Sequence, residues 1–295
     1  MSVVLDGKAI ADDLTKSVAS EINLIRKSSI GFSPGLAAVL VGGDPASRVY
    51  VRNKKRSAIG VGMEALDYHL PESTNQKELE DYVAKLSKDV KVDGILVQLP
   101  LPDHIDQEKI INVISPDKDV DGLHPYNVGL LVKGQPRFVP ATPAGVQHIL
   151  IKSGIEVSGK HVVICGRSEI VGKPLGLLLM QRNKGANATV TVCHSRTQNL
   201  YHITSQADIL IAAVGQQNFI KADMVKKGAV VIDVGTNRVH DDSRKSGYRL
   251  VGDVDFENVK DVASAITPVP GGVGPMTIAM LLKNTLESAK RRINL

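Results

Sequence analysis

The sequence predicts a two-domain α/β protein in which helices cover parallel sheets. In the first half, short apolar runs alternate with stretches of helical period, which is the pattern of a parallel sheet covered by helices. In the second half, an apolar strand runs into a glycine-containing turn and an apolar helix, as in dinucleotide-binding units. The chain of 295 residues is long enough for two such domains.

The first half supplies its elements in a regular order. The spacing of apolar residues predicts an amphipathic helix from Lys8 to about Lys27. Ser47 and Asp106 are the expected N-caps of two later helices, since their side chains can accept the free N–H groups of a first turn. The other predicted elements are strands at Leu36–Val41, Glu64–Leu70 and Gly94–Leu99, and helices from Ser47 to about Ile59, at Asn75–Lys88 and at Asp106–Ile114.

The second domain is expected to follow an extended segment at Phe138–Pro143 and a helix at Ala144–Lys152. The segment Ile266–Pro275 is rich in glycine and proline. Because apolar structure flanks it on both sides, we favour a rigid loop against a ligand or a domain seam over a flexible linker. The remaining predicted elements are strands from Lys160 to the turn at Gly166, at Ala188–Cys193, Ala207–Gly215 and Gly228–Gly235, a turn-like stretch at Asp241–Tyr248, and a closing helix from Met276 to about Arg292.

Composition narrows the class of protein. Lys and Arg number 36 against 31 Asp and Glu, but they are scattered, and aromatic residues make up only 3%, which argues against a nucleic-acid surface. Cys165 and Cys193 follow no metal-ligand or Cys-x-x-Cys pattern, and the Asp117–Asp121 loop lacks calcium-loop spacing, so no metal site is expected. No signal peptide or membrane-spanning stretch is evident, so we expect a cytoplasmic protein with free thiols and no membrane partner.

One helix carries the strongest candidate for chemistry. Tyr50 and Lys54 are four residues apart, so their side chains share one face of the predicted helix. A lysine that is partly removed from water has a lowered pKa and can exchange protons near neutral pH. Gln98 lies near the carboxyl end of a predicted parallel strand, where ligand sites gather. The alternatives are an ordinary exposed Tyr–Lys pair and a glutamine satisfied within the core.

The turn Gly166–Gly172 matches a dinucleotide fingerprint imperfectly. Ser168 occupies the second glycine position, and Gly172 comes one residue late for G-x-G-x-x-G. After the next predicted strand, where an NAD enzyme commonly has an acid, the chain has Ser195 and Arg196, and Arg167 lies in the turn itself. A hydroxyl and cations suit a 2′-phosphate, so we favour NADP over NAD. The alternative is that Arg196 is an ordinary exposed residue.

Five stretches carry a resemblance to a known family: Tyr50–Lys54, Val97–Pro100, Lys118–Gly122, Gly166–Gly172 and Thr267–Met276. Together they resemble the bifunctional methylenetetrahydrofolate dehydrogenase/methenyltetrahydrofolate cyclohydrolase family. The match covers almost the whole chain, and the Tyr-x-x-x-Lys helix combined with the tail loop is highly specific. The resemblance implies an N-terminal α/β catalytic domain completed by the C-terminal helix, a Rossmann-type dinucleotide-binding domain, and an active site in the cleft between them. The implied boundaries are 1–140 with 275–295 and 141–274.

The resemblance also implies roles for individual residues. Tyr50 would stack on the folate rings, Lys54 would be the central catalytic group, Gln98 would adjust Lys54, and Asp121 would bind the pterin. Further substrate contacts are expected at Leu99, Pro100, Pro268, Gly271 and Gly272. Cofactor contacts are expected at Gly166, Arg167, Ser168, Gly172, His194, Ser195, Arg196, Gly215, Gly235 and Thr236.

The implied activity oxidises 5,10-methylenetetrahydrofolate to the methenyl compound with NADP and then hydrolyses it to 10-formyltetrahydrofolate. A homodimer and the stand-alone form, rather than the larger ligase fusion, are implied as well. One alternative is a monofunctional NAD(P)-dependent methylenetetrahydrofolate dehydrogenase, against which the presence of Lys54 with Gln98 argues. Others are a non-catalytic nucleotide-sensing module and a different two-domain dehydrogenase, such as a shikimate- or amino-acid-type enzyme.

Overall fold

A computed structural model describes residues 2–244 and 247–295. The chain forms two compact units, which we name by their sheets. The small-sheet unit contains residues 12–141 and 278–295, and the large-sheet unit contains residues up to 11 and 142–277. The strands are β1 (Val3–Val4), β2 (Gly35–Val41), β3 (Glu64–Leu70), β4 (Gly94–Val97), β5 (His161–Cys165), β6 (Thr189–Cys193), β7 (Ile209–Ala212), β8 (Val230–Asp233), β9 (Asn237–His240), β10 (Tyr248–Val251) and β11 (Ala265–Ile266).

Helices alternate with these strands through most of the chain. A short 3₁₀ turn occupies Ala222–Met224. The α-helices are α1 (Gly7–Ser28), α2 (Pro45–Gly60), α3 (Gln76–Lys88), α4 (Gln107–Val113), α5 (Pro125–Val132), α6 (Ala141–Lys152), α7 (Gly172–Leu179), α8 (Leu200–Thr204), α9 (Phe256–Val259) and α10 (Val273–Arg292). Among the described residues, no helix is both long enough and apolar enough to cross a membrane.

The small-sheet unit is built on three parallel strands in the order β3-β2-β4. Every residue of the central strand β2 is buried, as expected of a strand covered on both faces. Helix α3 shows how the sequence produces the covering layer. Asn75 and Glu78 form a capping box at its start, and Leu79 and Val83 face the core.

The last turns of α10 are fastened to the small-sheet unit by side-chain hydrogen bonds. The Asn284 amide donates to the carbonyl oxygens of Val120 and Val139, at 2.8 and 3.0 Å. Arg292 donates from Nε to the buried carboxylate of Asp93 at 2.6 Å. These contacts complete the N-terminal domain with the C-terminal helix, as the resemblance implies.

The large-sheet unit contains six parallel strands in the order β1-β11-β8-β7-β5-β6. The prediction of parallel sheets covered by helices is therefore confirmed. The order also shows why the chain start belongs to this unit: Val3 pairs with Ala265, and Val4 with Ile266. The domain boundaries that the resemblance implies place residues 1–140 together. Nothing in the residues Val3 and Val4 indicates a partner more than two hundred residues away.

The predicted elements match the observed ones with some shifts. Asp44, not Ser47, caps α2: its carboxylate accepts the Ser47 N–H at 2.7 Å, whereas Ser47 itself is buried. Asp106 is the N-cap of α4, as expected.

Strand β4 ends at Val97 rather than Leu99. Helices α5 and α8 and the antiparallel hairpin β9–β10 were not predicted. The turn predicted at Asp241–Tyr248 joins β9 to β10, although Lys245 and Ser246 lie outside the described residues.

Candidate active site

Helix α2 presents Tyr50 and Lys54 in the small-sheet unit. The helix begins at Pro45, directly after the Asp44 cap, and runs without interruption to Gly60. Residues four apart therefore lie one turn from each other on the same face. The Tyr50 side chain is 43% exposed, whereas Lys54 is partly buried. One face of α2 thus offers an accessible aromatic ring beside a sheltered amine.

Gln98 holds the amine of Lys54. The Gln98 N–H donates to the Val39 carbonyl at 2.8 Å, which places the residue directly beyond β4, in line with the strand. Its amide nitrogen donates to the Leu99 carbonyl at 2.7 Å, so its oxygen is oriented and accepts from Lys54 Nζ at 3.1 Å. Because this acceptor is neutral, it orients the amine without stabilising the ammonium form as a carboxylate would.

Asp121 lies on a loop that is fastened to the same strand. The Ile95 N–H of β4 donates to the Lys118 carbonyl at 2.8 Å, and Ile95 forms a parallel bridge with Asp119. Burial lowers the pKa of Lys54 below its ordinary value, and the charge of Asp121 opposes part of that shift. Burial likewise raises the pKa of Asp121, and the charge of Lys54 opposes it. Burial therefore moves both groups toward their neutral forms, which is the condition for proton exchange near neutral pH.

In the large-sheet unit, the turn after β5 requires glycine at two positions. Gly166 has φ +133°, and a Cβ there would lie 2.1 Å from the Ala213 carbonyl oxygen. A Cβ on Gly172 would lie 2.1 Å from the Gly166 carbonyl oxygen. Ser168 Oγ accepts the N–H of Val171 at 3.2 Å, so the residue at the second glycine position braces the start of α7. The turn closes tightly at a helix N-terminus, which fits the pyrophosphate of a dinucleotide.

Strand pairing brings the candidate 2′-phosphate contacts, Arg167 after β5 and Ser195 with Arg196 after β6, to one edge of the sheet. Cys165 at the end of β5 is paired with Cys193 at the end of β6. Arg167 and Ser195 each follow two residues later, so both lie beyond the carboxyl ends of adjacent parallel strands. Arg167, Ser195 and Arg196 are all exposed, and the Arg196 N–H donates to His194 Nδ1 at 3.1 Å.

The other candidate residues divide between the two units. Leu99 and Pro100 directly follow Gln98 in the small-sheet unit. Gly215, Gly235 and Thr236 follow β7 and β8 in the large-sheet unit, and Pro268, Gly271 and Gly272 occupy its loop between β11 and α10. Within residues 2–244 and 247–295, no group of three or more His, Cys, Asp or Glu side chains could hold a metal ion.

Two family models match these two parts of the chain. The model described as "Tetrahydrofolate dehydrogenase/cyclohydrolase, catalytic domain" matches residues 5–121, which include Tyr50, Lys54, Gln98 and Asp121. The model described as "Tetrahydrofolate dehydrogenase/cyclohydrolase, NAD(P)-binding domain" matches residues 140–293. The chain belongs to the tetrahydrofolate dehydrogenase/cyclohydrolase family.

Individual relatives agree with this family assignment. The chain is 54% identical over 287 residues to the bifunctional protein FolD of Acetivibrio thermocellus, covering 97% of this chain and 96% of that protein. The bifunctional methylenetetrahydrofolate dehydrogenase/cyclohydrolase FolD of Campylobacter jejuni has a similar structure, with a TM-score of 0.92, 46% identity and coverage of 99% and 100%. FolD of Trypanosoma brucei, solved with NADP and an inhibitor, matches with a TM-score of 0.95, 42% identity and coverage of 100% and 99%.

Asp119 is a residue of this family member that sequence reasoning missed. It is 1% exposed, and its carboxylate accepts the N–H groups of Leu123 and His124 at 3.1 and 2.8 Å. The Asn127 amide, on α5, donates to it at 2.8 Å. Burial raises the pKa of Asp119 to about 6, and these hydrogen bonds oppose the shift. Asp119 thereby fixes the loop on which Asp121 lies. The sequence placed Asp119 inside the stretch Lys118–Gly122 that carries the resemblance, but no role was assigned to it.

Replacing Asp119 by alanine is expected to loosen this loop. Each buried N–H left without an acceptor costs about 1–3 kcal/mol, so Asp119→Ala should lower the free energy of unfolding by at least about 2 kcal/mol. Because the loop carries Asp121, the expected pterin contact, the KM for the folate should rise about tenfold. Urea unfolding and steady-state kinetics measure the two effects.

Asp117→Ala is the matched control for this experiment. Asp117 lies in the same loop, its side chain is 71% exposed, and it pairs with Arg137. An exposed pair contributes less than about 1 kcal/mol, so this variant should resemble the parent protein. Equal effects of the two substitutions would contradict the positioning role of Asp119.

Proposed function

We propose that this protein is a bifunctional enzyme of one-carbon metabolism. It oxidises 5,10-methylenetetrahydrofolate to 5,10-methenyltetrahydrofolate with NADP and hydrolyses the product to 10-formyltetrahydrofolate. The observation that carries this proposal is the hydrogen bond from Lys54 Nζ to the neutral Gln98 oxygen, close enough to Asp121 for their charges to interact. It lies within the part of the chain that matches the family's catalytic domain.

In the first step, the residues of this chain orient the substrate. Tyr50 offers its exposed ring for stacking on the folate. The Asp121 carboxylate can accept two parallel hydrogen bonds from adjacent N–H groups of the pterin, which fixes the position of the one-carbon bridge. Bound NADP supplies the hydride acceptor, so the methylene bridge loses a hydride and becomes a methenyl cation. Orientation is the main contribution of the protein to this step.

In the second step, Lys54 handles protons. Water adds to the cationic bridge carbon, the bond from that carbon to N5 breaks, and one proton is released overall. A neutral Lys54 amine can take the proton from the attacking water, and the ammonium formed can return it to N5 as the ring opens, while the hydroxyl proton of the adduct leaves to solvent and the formyl carbonyl forms. Gln98 keeps the amine in one orientation throughout. A purely dehydrogenating enzyme has no need of this arrangement, and the monofunctional alternative is not favoured.

The two-activity assay tests this proposal directly. The purified protein is given methylenetetrahydrofolate with NADP or with NAD, and methenyl hydrolysis is followed separately by the near-ultraviolet absorbance of the methenyl compound. We expect both activities, with a lower KM for NADP than for NAD. A protein that reduces NADP but leaves the methenyl compound at its spontaneous rate of hydrolysis would contradict the bifunctional proposal.

The 2′-phosphate contacts are tested by replacing Ser195 and Arg196 together with alanine. Loss of charge-assisted hydrogen bonds to a phosphate should raise the KM for NADP by about ten- to a hundredfold. The KM for NAD, which lacks this phosphate, should change less than about threefold. Exposed Arg182→Ala, in the same unit, is the control. Equal changes for both cofactors would argue against a 2′-phosphate site at these residues.

Two further points of the proposal concern assembly and location. We infer a homodimer, which sedimentation equilibrium would measure, and a cytoplasmic location. Both cysteines of the chain, Cys165 and Cys193, are free and buried, which supports a reducing compartment. The expected binding partners are a small-molecule folate and the dinucleotide, with no nucleic acid and no membrane.

A further inference from the structure

Two buried carboxylates of the large-sheet unit have no part in the chemistry above. Asp233 is the last residue of β8, and Asp253 follows β10; they are 3% and 0% exposed. Burial raises the pKa of Asp233 to about 7, and its hydrogen bonds from backbone N–H groups oppose that shift. A buried carboxylate is tolerated only where hydrogen-bond donors satisfy it. The donors of Asp233 and Asp253 therefore show which segments of the chain each carboxylate holds in place.

Asp253 holds the loop that follows β7. Its Oδ2 accepts the N–H groups of Val214 and Gly215, at 2.6 and 2.9 Å. Its main-chain carbonyl accepts the Ile220 N–H at 2.9 Å. One residue therefore fixes both ends of the segment 214–220. Its Oδ1 accepts from the Asn237 amide at 2.9 Å, which connects the same carboxylate to the start of β9.

Asp233 in turn fixes Asp253 and the segment after β8. Its Oδ1 accepts the N–H groups of Gly235 and Asp253, at 2.9 and 3.0 Å. Its Oδ2 accepts the Val254 N–H at 2.9 Å. The N–H of Asp233 donates to Thr267 Oγ1 at 2.8 Å, at the start of the loop between β11 and α10. The two carboxylates thus connect the segments that follow β7 and β8, and the main chain of Asp233 connects them to the loop that follows β11.

The packing around the pair is tight. A Cβ on Gly235 would lie 2.2 Å from Asp253 Oδ1, and a Cβ on Gly252 would lie 1.8 Å from Asp233 Oδ2. The carboxylates therefore occupy the space next to these glycines, and the loops have little freedom to shift. A small displacement of a buried carboxylate would be transmitted to the backbone at Gly215 and Gly235.

We propose that Asp253 is a positioning residue for the dinucleotide, which sets the backbone at Gly215 and at Gly235–Thr236 where it meets the cofactor. Asp233 supports it by fixing the Asp253 backbone. The inference rests on the proposed function, because Gly215, Gly235 and Thr236 are themselves proposed cofactor contacts. It adds a residue that does not touch the cofactor but determines how well the cofactor is bound.

The experiment compares NADPH binding with methenyl hydrolysis in the full-length protein. Asp253→Ala removes the acceptor of three donors, and the Kd for NADPH, measured by fluorescence titration, should rise at least about tenfold. Hydrolysis assayed without dinucleotide depends on Lys54 in the other unit, so it should stay within about twofold of the parent. Asp253→Asn keeps one carbonyl oxygen for Val214 and Gly215, and its Kd should rise less, by about threefold. Exposed Asp261→Ala in the same unit is the control.

The outcomes separate a positioning role from a structural one. A purely structural role would lower the folded fraction and both activities together, while the remaining folded protein would bind NADPH with the parent's Kd; this result would overturn the inference. If Asp253→Ala does not fold, Asp253→Asn decides, and an unchanged Kd in that variant likewise overturns it. Failure of the parent protein itself to bind NADPH would instead refute the proposed function, and the inference with it.

Discussion

Replacing Lys54 by methionine is expected to remove methenyl hydrolysis while the protein remains folded. Methionine preserves most of the length and the apolar stem of lysine but cannot accept or donate a proton. Acid–base catalysis contributes about 10²–10⁴-fold, so the hydrolysis rate should fall by at least about 100-fold. Hydride transfer should fall less, because it depends on orientation by Tyr50 and Asp121. Both rates are measured on one preparation with methenyl- and methylenetetrahydrofolate.

Lys55→Met is a closely matched control for this prediction. Lys55 is the next residue of α2, 41% of its side chain is exposed, and it pairs with Asp67 at 3.3 Å. Its loss should leave both activities within about twofold, since the partner of Lys55 is Asp67 of β3, whereas the partner of Gln98 is Lys54. Lys54→Met removes a disfavoured buried ammonium but also the charge that interacts with Asp121, so urea unfolding is measured beside both activities to show that the variant is folded. Full hydrolysis by a folded Lys54→Met protein would contradict the proton-transfer role.

The pH profile of hydrolysis gives a second measure of Lys54. Burial lowers the pKa of Lys54, so the active neutral amine forms below the usual titration range of lysine, and the rate should rise with pH through this lowered pKa. Gln98→Glu would place an anion where the neutral acceptor is now, 3.1 Å from Nζ, and would raise the pKa of Lys54. The rising limb should then move to higher pH, whereas Lys54→Met should lack it.

The same shift has a consequence for stability. Because the pKa of Lys54 is lower in the folded protein than in the unfolded chain, the unfolded chain binds more protons between the two values. The contribution of Lys54 to stability therefore increases as pH rises through that window. The difference in unfolding free energy between the parent and Lys54→Met should become more favourable to the parent as the pH increases.

Local patterns drew attention to three of the candidate site residues but left ordinary structural roles open for each. The spacing of Tyr50 and Lys54 fixed their common helix face, because four residues make about one turn. Gln98 became a candidate because ligand sites gather beyond the carboxyl ends of parallel strands, and its amide stands among apolar residues. The role of Asp121 came from the resemblance alone.

Other features depend on contacts that no local pattern contains. Asp119 resembles its neighbours Asp117 and Asp121 in the sequence, and only the fold shows that it is buried beneath three donors. The pairing of Val3 with Ala265 joins residues near opposite ends of the chain, which no local pattern predicts. Asp253 carried no signal either, because its donors lie in segments 16 to 39 residues away. Asp44 was passed over as N-cap because Ser47 also suits that position.

Replacing Gly166 by alanine is expected to have the opposite effect to Lys54→Met: it should impair NADP-dependent oxidation and spare methenyl hydrolysis. The alanine Cβ would lie 2.1 Å from the Ala213 carbonyl oxygen, and φ +133° is unfavourable for any residue with a side chain. The end of β5 or the segment after β7 must therefore move, which distorts the turn at the start of α7. We expect the kcat/KM for NADP-dependent oxidation to fall by at least about 100-fold, since displacements near 1 Å have effects of this size.

Methenyl hydrolysis should persist in Gly166→Ala, because Lys54, Gln98 and Asp121 all belong to the other unit. The control is Gly154→Ala in the large-sheet unit, where φ is +68° but a Cβ would meet no atom within 4 Å. That variant carries the conformational penalty without the collision, so it should lose about 1 kcal/mol of stability and keep NADP-dependent activity. If Gly154→Ala impaired oxidation as much as Gly166→Ala, backbone strain in general would explain the loss. If Gly166→Ala lost hydrolysis as well as oxidation while Gly154→Ala kept both, the two activities would not depend on separate units of the chain.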